Sequence, residues 1–361
     1  MKRLREPRRF FALKRLGFRP QLPQEQRAVP SEGLSDSFGR LASKLRISVT
    51  DRCNFRCDFC MPEKPVWLDN SEVLTFEELT RVTGILATLG VQKVRVSGGE
   101  PLVRKEVEKL VGMLAKVRGI SSVAMTTNGA LLKEKAAVLK ANGLKGVTVS
   151  VHSLKPELYD EITGTKEMFW RVMEGIEEAE RVGLSPIKIN CVVTRGCNEA
   201  EILDFAKMAH DGNRVVRFIE YMPFDGTKFW DTGMVVPGSE IAETISGRYP
   251  LEPLEKEHGA TSTNYRFKDG SSGHIGTITS MSKPFCGDCD RIRLKANGNL
   301  VPCLFSVAEY DLKHLLRGGA SDEAIEESIR KAFWQKFEGV GSLMENKVEV
   351  RHVRPMHTIG G

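Results

Sequence analysis

Six of the eight cysteines in this 361-residue chain stand in two tight groups, and the chemistry is concentrated there. Cys53, Cys57 and Cys60 form C-x3-C-x2-C; Cys286 and Cys289 form C-x2-C, with Cys303 a short way beyond. A structural zinc ion is normally closed in by four protein ligands, usually from paired knuckles. The first group offers three, and the next histidine along is His152. Three thiolates on a cubic [4Fe–4S] cluster leave one iron open to a small-molecule ligand, and the first group reads as that kind of site. The second group again offers three. There a zinc ribbon completed by Cys191 or Cys197 stands as the alternative; otherwise those two are incidental thiols. The seven histidines show no metal-ligand spacing. With no signal peptide ahead of them, the cysteines are not expected to form a disulfide framework.

Beside the second group runs Asp290-Arg291-Ile292-Arg293-Leu294. In an extended segment Arg291 and Arg293 project to the same side. Guanidinium forks match phosphate oxygens, so the pair suits a polyphosphate, with a solvated basic strand as the plain alternative.

These residues need a frame. From Leu45 to Met222 the pattern is strand then helix, six times over, with strands at 45–50, 93–97, 122–127, 146–151, 187–193 and 215–221. Amphipathic stretches such as 75–90 and 168–183 lie between them. Alternating strands and helices imply βαβ units and a parallel sheet. The fold class is α/β, a partial (β/α)6 barrel with a C-terminal extension carrying the second cysteine group; periodicity alone also allows an open doubly wound sheet. Strands buried on both faces should be almost continuously apolar. Here Arg46, Arg95 and Lys188 intrude with period two. Cations on one face of several strands suggest a wet interior built for an anion, with internal Glu pairs as the alternative. The loops after the strands are unusual too: CNFRCDFC after the first, GGEP after the second, TTNG at the third, Tyr221-Met222-Pro223 at the sixth. Such residues at the C-terminal ends of barrel strands read as an active site.

The formal net charge of +6 does not point to nucleic acid. Residues 1–20 hold eight basic side chains and one acid, a net +7, which leaves the remainder at −1. Residues 1–38 are expected to be a basic, poorly ordered extension, with a targeting peptide as one reading. No apolar run approaches the roughly 18 residues that would cross a bilayer. The expected organisation is this extension, a core barrel over 39–260, and a C-terminal region over 261–361. The cytoplasm is the expected location, or the mitochondrial matrix if the extension is a transit peptide.

C-x3-C-x2-C after the first strand, followed by Gly98-Gly99-Glu100-Pro101 after the second, resembles the signature of the radical S-adenosylmethionine (SAM) superfamily. The resemblance implies that SAM chelates the open iron through its amino and carboxylate groups and is cleaved by one electron to methionine and a 5′-deoxyadenosyl radical. The whole chain from about residue 36 to 361 is similar to the GTP 3′,8-cyclase family, through DSFGR, LRISVTDRCNFRC, GGEPL, TTNG, KINCVV, RFIEYMPFDG, FCGDCDRIRLKANGNLVPCLF and the terminal Gly360-Gly361. That resemblance implies two [4Fe–4S] clusters, on Cys53, Cys57 and Cys60 and on Cys286, Cys289 and Cys303. It implies SAM contacts at Phe59, Gly99, Ser150 and Met222, and GTP contacts at Arg46, Arg95, Thr126, Lys188, Arg291, Ile292 and Arg293. The cysteines of the first group, with Arg291 and Arg293, would carry catalysis, and the Gly-Gly tail would reach the active site. The implied reaction removes the C3′ hydrogen of GTP and joins C3′ to C8, the first step of molybdenum cofactor biosynthesis. The implied partners are an electron donor and, downstream, cyclic pyranopterin monophosphate synthase; relatives are often dimers, and neither nucleic acid nor membrane is expected. Three residues depart from the family pattern: Phe59 for Tyr, His152 for Asp, and Asp290 for Asn. The rivals are a peptide-modifying radical SAM enzyme and a non-catalytic protein that binds zinc or carries electrons.

Overall fold

The structure is a computed structural model that describes residues 32–184, 186–224, 229–346 and 354–360. Six parallel strands form its centre in chain order: β1 (Lys44–Ser48), β2 (Lys93–Ser97), β3 (Ser122–Thr127), β4 (Gly146–Ser150), β5 (Ile187–Val193) and β6 (Arg214–Glu220). They fall within a residue or two of the segments the alternation marks out. Between them run α1 (Phe76–Thr88), α2 (Val107–Ala115), α3 (Leu132–Ala141), α4 (Pro156–Thr163), α5 (Phe169–Arg181) and α6 (Ile202–His210). Helix α1 starts where it does because Thr75 and Glu78 form a reciprocal cap, each side chain accepting from the other's backbone N–H. Its buried stripe of Leu79, Val82, Ile85 and Leu86 follows the 3.6-residue period. In α5 the same spacing buries Phe169, Val172, Ile176 and Ala179. Each fully buried aliphatic side chain contributes about 1.5–3 kcal/mol.

After β6 come α7 (Gly238–Ser246), β7 (Leu251–Pro253), β8 (Thr263–Phe267), β9 (His274–Ile278), β10 (Arg291–Leu294), β11 (Asn299–Val301) and β12 (Tyr310–Asp311). Then follow α8 (Lys313–Arg317), α9 (Asp322–Trp334) and α10 (Val340–Glu345). Strand β9 adds parallel to β6, and β10 adds parallel to β1. The twelve-stranded sheet therefore runs β12-β11-β10-β1-β2-β3-β4-β5-β6-β9-β8-β7, with eight parallel strands in the middle and an antiparallel pair at each end. Its two terminal strands, β7 and β12, do not pair, so the barrel is partial. The sheet runs across the boundary drawn at residue 260, because β9 and β10 supply its seventh and eighth parallel strands. Part of the segment assigned to the N-terminal extension is packed: Leu34 and Asp36 are buried, and Asp36 is bonded to Arg40 Nε at 2.6 Å. Residues 1–31 lie outside the described residues.

Alternation divides the sheet into a helix-facing side and an inner side. Leu45, Ile47, Val94, Val96, Ile187 and Ile189 join the helix-side core. Their neighbours Arg46, Arg95 and Lys188 face the other way.

Candidate active site

The two cysteine groups lie at opposite ends of the same strands. Cys53, Cys57 and Cys60 follow β1 at the C-terminal edge of the sheet. Cys289 and Asp290 enter β10 at its N-terminal edge, where Lys44 is the register partner of Arg291 and Ser43 N donates to Asp290 O at 2.9 Å. A five-residue strand spans about 15 Å, and the inner face of β10, β1 and β2 fills that height between them.

At the first group a helical turn closes the loop, with Cys60 N and Met61 N both donating to Cys57 O. Asn128 Nδ2 stands 3.9 Å from Cys53 Sγ, and Phe55 N donates to the same sulfur at 3.3 Å. Burial pushes the Cys53 thiol up to about 11 and the Cys60 thiol up to about 12; it pushes Cys57 up as well, and there Cys60 and Cys53 add to the effect. Neighbouring thiols starved of water give up their protons readily when a metal takes the charge. The loop after β2 presses against Thr50–Arg52, the segment that leads into the cysteines. A Cβ on Gly98 would stand 2.6 Å from Thr50 O, and one on Gly99 would stand 2.5 Å from Asp51 O and Arg52 O. Only glycine allows that approach, which the bonds Gly99 N to Thr50 O (2.7 Å) and Glu100 N to Arg52 O (2.8 Å) fix in place. The Glu100 carboxylate accepts from Leu102 N, Thr127 Oγ1 and Asn128 N, tying β2 to β3. Burial raises its pKa to about 7 against those bonds. Phe59 packs edge-on to His152 at 4.6 Å. Burial draws His152 down to about 4, and its Nδ1 accepts from Val192 N, so the ring is neutral. Ser150 ends β4 and Met222 follows β6, both half-buried at this same edge.

The second group has a different setting. Lys336, 2% exposed, donates to Cys289 Sγ at 3.4 Å, to Cys289 O at 3.0 Å and to Arg291 O at 3.2 Å. Burial pushes the Cys289 thiol up, but the Arg291 and Lys336 cations outweigh it and bring it to about 6. Cys303 is raised, by burial and then by Cys289. Arg40 binds Cys286 O, Phe337 O and Glu338 O at 2.9, 2.9 and 2.6 Å, stitching the N-terminal segment to residues 337–338 around the group. Gly339, at φ +142°, is where the chain passes closest; a Cβ there would stand 2.4 Å from Cys286 Sγ. Nothing in the sequence pattern singles out Lys336 or Gly339, and Arg40 appears there only as the end of DSFGR, with no role attached.

Between the groups the cations form a row. Arg46 is the register partner of both Arg293 and Arg95. Thr126, Thr148 and Lys188 form a second row, and Asn190 pairs with Arg217. Arg217, absent from the cations that the sequence pattern marks, belongs with them. Arg95 Nη1 donates to Thr148 Oγ1 at 3.1 Å and Thr126 Oγ1 at 3.4 Å. Among the described residues none of Arg46, Arg95, Lys188, Arg217, Arg291 or Arg293 lies within 4.0 Å of a carboxylate oxygen, so internal glutamate pairs do not account for them. Burial and mutual repulsion act along the row. Arg46 is lowered by burial, then by Arg293, Arg95, Arg291 and Arg217. Burial, with Arg291 and Arg95 respectively, draws Arg293 and Arg217 to about 10. Burial, then Arg217 and Arg95, draws Lys188 to about 8. The Nε atoms of Arg217 and Arg293 are buried without a hydrogen-bond partner. Orphaned buried donors in a field of like charge call for an anion. Ile292 does not share this face. It pairs with Leu45 and is fully buried in the helix-side core, so its side chain is withdrawn from the nucleotide contacts by the alternation of the strand.

The C-terminal segment returns to the site. Arg354 pairs with Glu309, Met356 N donates to Phe224 O at 3.1 Å, and His357 Nδ1 stands 3.5 Å from Cys60 O. Gly360 then lies against the paired C-terminal ends of β1 and β2, where a Cβ would meet Ser97 Oγ at 2.5 Å and Ser48 Cβ at 3.1 Å. Gly361 lies outside the described residues.

Both cysteine groups fit iron–sulfur clusters. All six thiols are free, and among the described residues no three ligating side chains converge tightly enough for one ion. Around a single zinc, at Zn–S of about 2.3 Å, sulfurs crowd together; thiolates that each take a separate iron of a cluster stand wider apart.

Known proteins match along almost the whole chain. The Radical SAM superfamily model matches residues 47–209, and the Molybdenum Cofactor Synthesis C model matches residues 214–341. The chain is 40% identical to a GTP 3′,8-cyclase from Acidothermus cellulolyticus, over 84% of this chain and 85% of that one. It is 39% identical to the mitochondrial GTP 3′,8-cyclase of Arabidopsis thaliana, over 92% and 84%. To molybdenum cofactor biosynthesis protein 1 of Mus musculus it is 42% identical over 96% of this chain, but spans only 54% of that protein. Among solved structures, SuiB of Streptococcus suis bound to S-adenosylmethionine superposes with a TM-score of 0.60 at 15% identity, over 86% of this chain and 76% of that one, a likeness of fold.

Proposed function

The chain belongs to the GTP 3′,8-cyclase family of radical SAM enzymes, and from that premise we propose how its own residues convert GTP to (8S)-3′,8-cyclo-7,8-dihydro-GTP. The observation that carries the reading is the row of uncompensated buried cations between two three-thiol sites. When bound, SAM on the first cluster supplies one-electron cleavage chemistry and so a radical able to remove an unactivated hydrogen. The protein's part is placement and exclusion of water. Gly98 and Gly99 bring the loop after β2 against Thr50–Arg52, leaving Phe59, Gly99, Ser150 and Met222 around the SAM position. Arg46, Arg95, Arg217, Arg291 and Arg293 neutralise the triphosphate, and their forks fix its register along the strands. Lys188, beside Thr126 and Thr148, adds a point charge. The guanine is thereby directed to the edge where the second cysteine group lies, and the ribose toward the first. Gly360, packed on Ser48 and Ser97 at the ends of β1 and β2, narrows the site from the cysteine end.

The test is anaerobic. The protein with reconstituted clusters, given SAM, GTP and dithionite, is expected to yield 5′-deoxyadenosine together with a GTP isomer of unchanged mass. 5′-Deoxyadenosine with GTP untouched would keep the radical class and overturn the substrate. An external electron donor and a downstream enzyme that rearranges the cyclised nucleotide are the proposed partners. The cytoplasm is the proposed location, with the mitochondrial matrix as the alternative that a processed N-terminus would establish.

A further inference from the structure

Lys336 is a buried ammonium with three N–H donors, and its three bonds go to Cys289 Sγ, Cys289 O and Arg291 O. Among the described residues no carboxylate accepts a hydrogen bond from it, and the nearby Asp36 is itself engaged by Arg40. A buried cation without a paired anion is costly. The anion that this position serves is the Cys289 thiolate, whose sulfur accepts from the ammonium at 3.4 Å. Its place is well determined. Helix α9 is anchored by Ile325, Ile329, Ala332 and Phe333, and it ends just before Lys336. Three residues further on, Gly339 lies against Cys286, and Arg40 holds the carbonyls between.

We propose that Lys336 is a positioning residue for the second cluster, its fixed ammonium on Cys289 Sγ holding that cluster at a higher reduction potential than the first. Reduction adds one electron, and hence one negative charge, to the cluster and its thiolates; a hydrogen-bonded cation stabilises the more negative form. At the first group the sulfur of Cys53 receives amide donors instead, Asn128 Nδ2 and Phe55 N. The two sites therefore accept an electron with different ease, the second before the first. The inference rests on the reading that Cys286, Cys289 and Cys303 hold a cluster, and the experiment separates the two.

Iron analysis of the reconstituted enzyme comes first: about eight irons per chain are expected, and about four with one cluster signal would overturn the reading and the inference together. Next, an EPR-monitored dithionite titration of the two-cluster enzyme is expected to show the second cluster reduced at the higher potential. Lys336→Met is expected to disfavour reduction of the second cluster at least tenfold, ~59 mV for a one-electron couple, while the first stays unmoved. Lys336→Arg, which keeps the charge, is expected to stay close to the parent. If Lys336→Met does not fold, Lys336→Gln carries the same expectation, since it removes the charge and keeps an N–H donor. Two full clusters with the second midpoint unchanged in the neutral variant would overturn the role of Lys336 alone.

Discussion

The two three-cysteine groups use the same ligand and opposite surroundings. At the first, burial pushes every thiol up, and the neighbours that add to it are the other cysteines, Glu100 and Asp58. At the second, Cys303 is likewise raised, by burial and then by Cys289, but Arg291 and Lys336 bring Cys289 down to about 6 in spite of burial. The first group sits in a loop held by a helical turn and by backbone contacts to the Gly-Gly segment. The second is clamped by chain from far away, Arg40 on one side and residues 336–339 on the other. Among the described residues only the second site has a cation donating to one of its sulfurs, Lys336 on Cys289, a difference that suits a cleavage centre at one end of a nucleotide and a holding centre at the other.

Serine substitutions give the largest separation. Cys57→Ser is expected to abolish 5′-deoxyadenosine formation and remove about four irons per chain. Cys289→Ser, losing a similar amount of iron, is expected to keep SAM cleavage and lose the cyclised nucleotide. Iron content with product analysis by mass spectrometry reads both, and equal loss of SAM cleavage in the two variants would erase the contrast.

The row between the groups comes next in size. Truncating Arg293 or Arg217 to Ala removes hydrogen bonds to a charged group, about 1.5–3 kcal/mol each, hence a roughly 10–150-fold rise in the KM for GTP. SAM cleavage should continue uncoupled, so the ratio of 5′-deoxyadenosine to cyclised product rises. Arg217→Ala with an unchanged KM would remove that residue from the site.

Lys188 sharpens the same point through pH. Its ammonium is drawn to about 8, mainly by burial and then by Arg217 and Arg95. Below pH 8 the empty site already carries the charge that a triphosphate needs. Above pH 8 the amine is neutral and binding must take up a proton, so affinity falls by up to about tenfold per pH unit. The KM for GTP should therefore climb between pH 8 and 9, and Lys188→Arg, charged throughout, should flatten the climb. A KM that fell over that interval would contradict the assignment.

The residues legible in the sequence are those whose signal is local. Period-two alternation marks β2 and β5 to the residue, because Arg95 or Lys188 between two branched apolar residues fits a strand with one dry and one wet face and little else. Cys53, Cys57 and Cys60 announce themselves by spacing. Arg217, between the helix-side Val216 and Phe218, obeys the same alternation, and the register Asn190↔Arg217 sets it beside the inner face of β5. Lys336 and Gly339 are beyond the reach of any local pattern. Their partners Cys289 and Cys286 are 47 and 53 positions away, and the contact exists because α9 packs its Ile325–Phe333 face on the core. Ile292, named with the Arg291–Arg293 segment, turns its side chain to the helix-side core, so only its backbone faces the row.

Asp290, which joins the cationic row to the second group, should have the smallest effect. Its Oδ2 accepts from Ser43 Oγ at 2.6 Å and pairs with Lys44 Nζ at 2.9 Å, while Oδ1 is buried without a partner. Gly259 closes over the carboxylate so tightly that a Cβ there would lie 2.3 Å from Oδ2. The negative charge is thus spent on Lys44 and shielded from the arginines that follow it. Asp290→Asn removes that charge while leaving Lys44 a carbonyl to bind, so the KM for GTP should change by less than about threefold, under ~0.7 kcal/mol. A tenfold fall in KM would mean that Asp290 opposes the triphosphate directly, and that the two cysteine sites are not electrostatically insulated from each other at this residue.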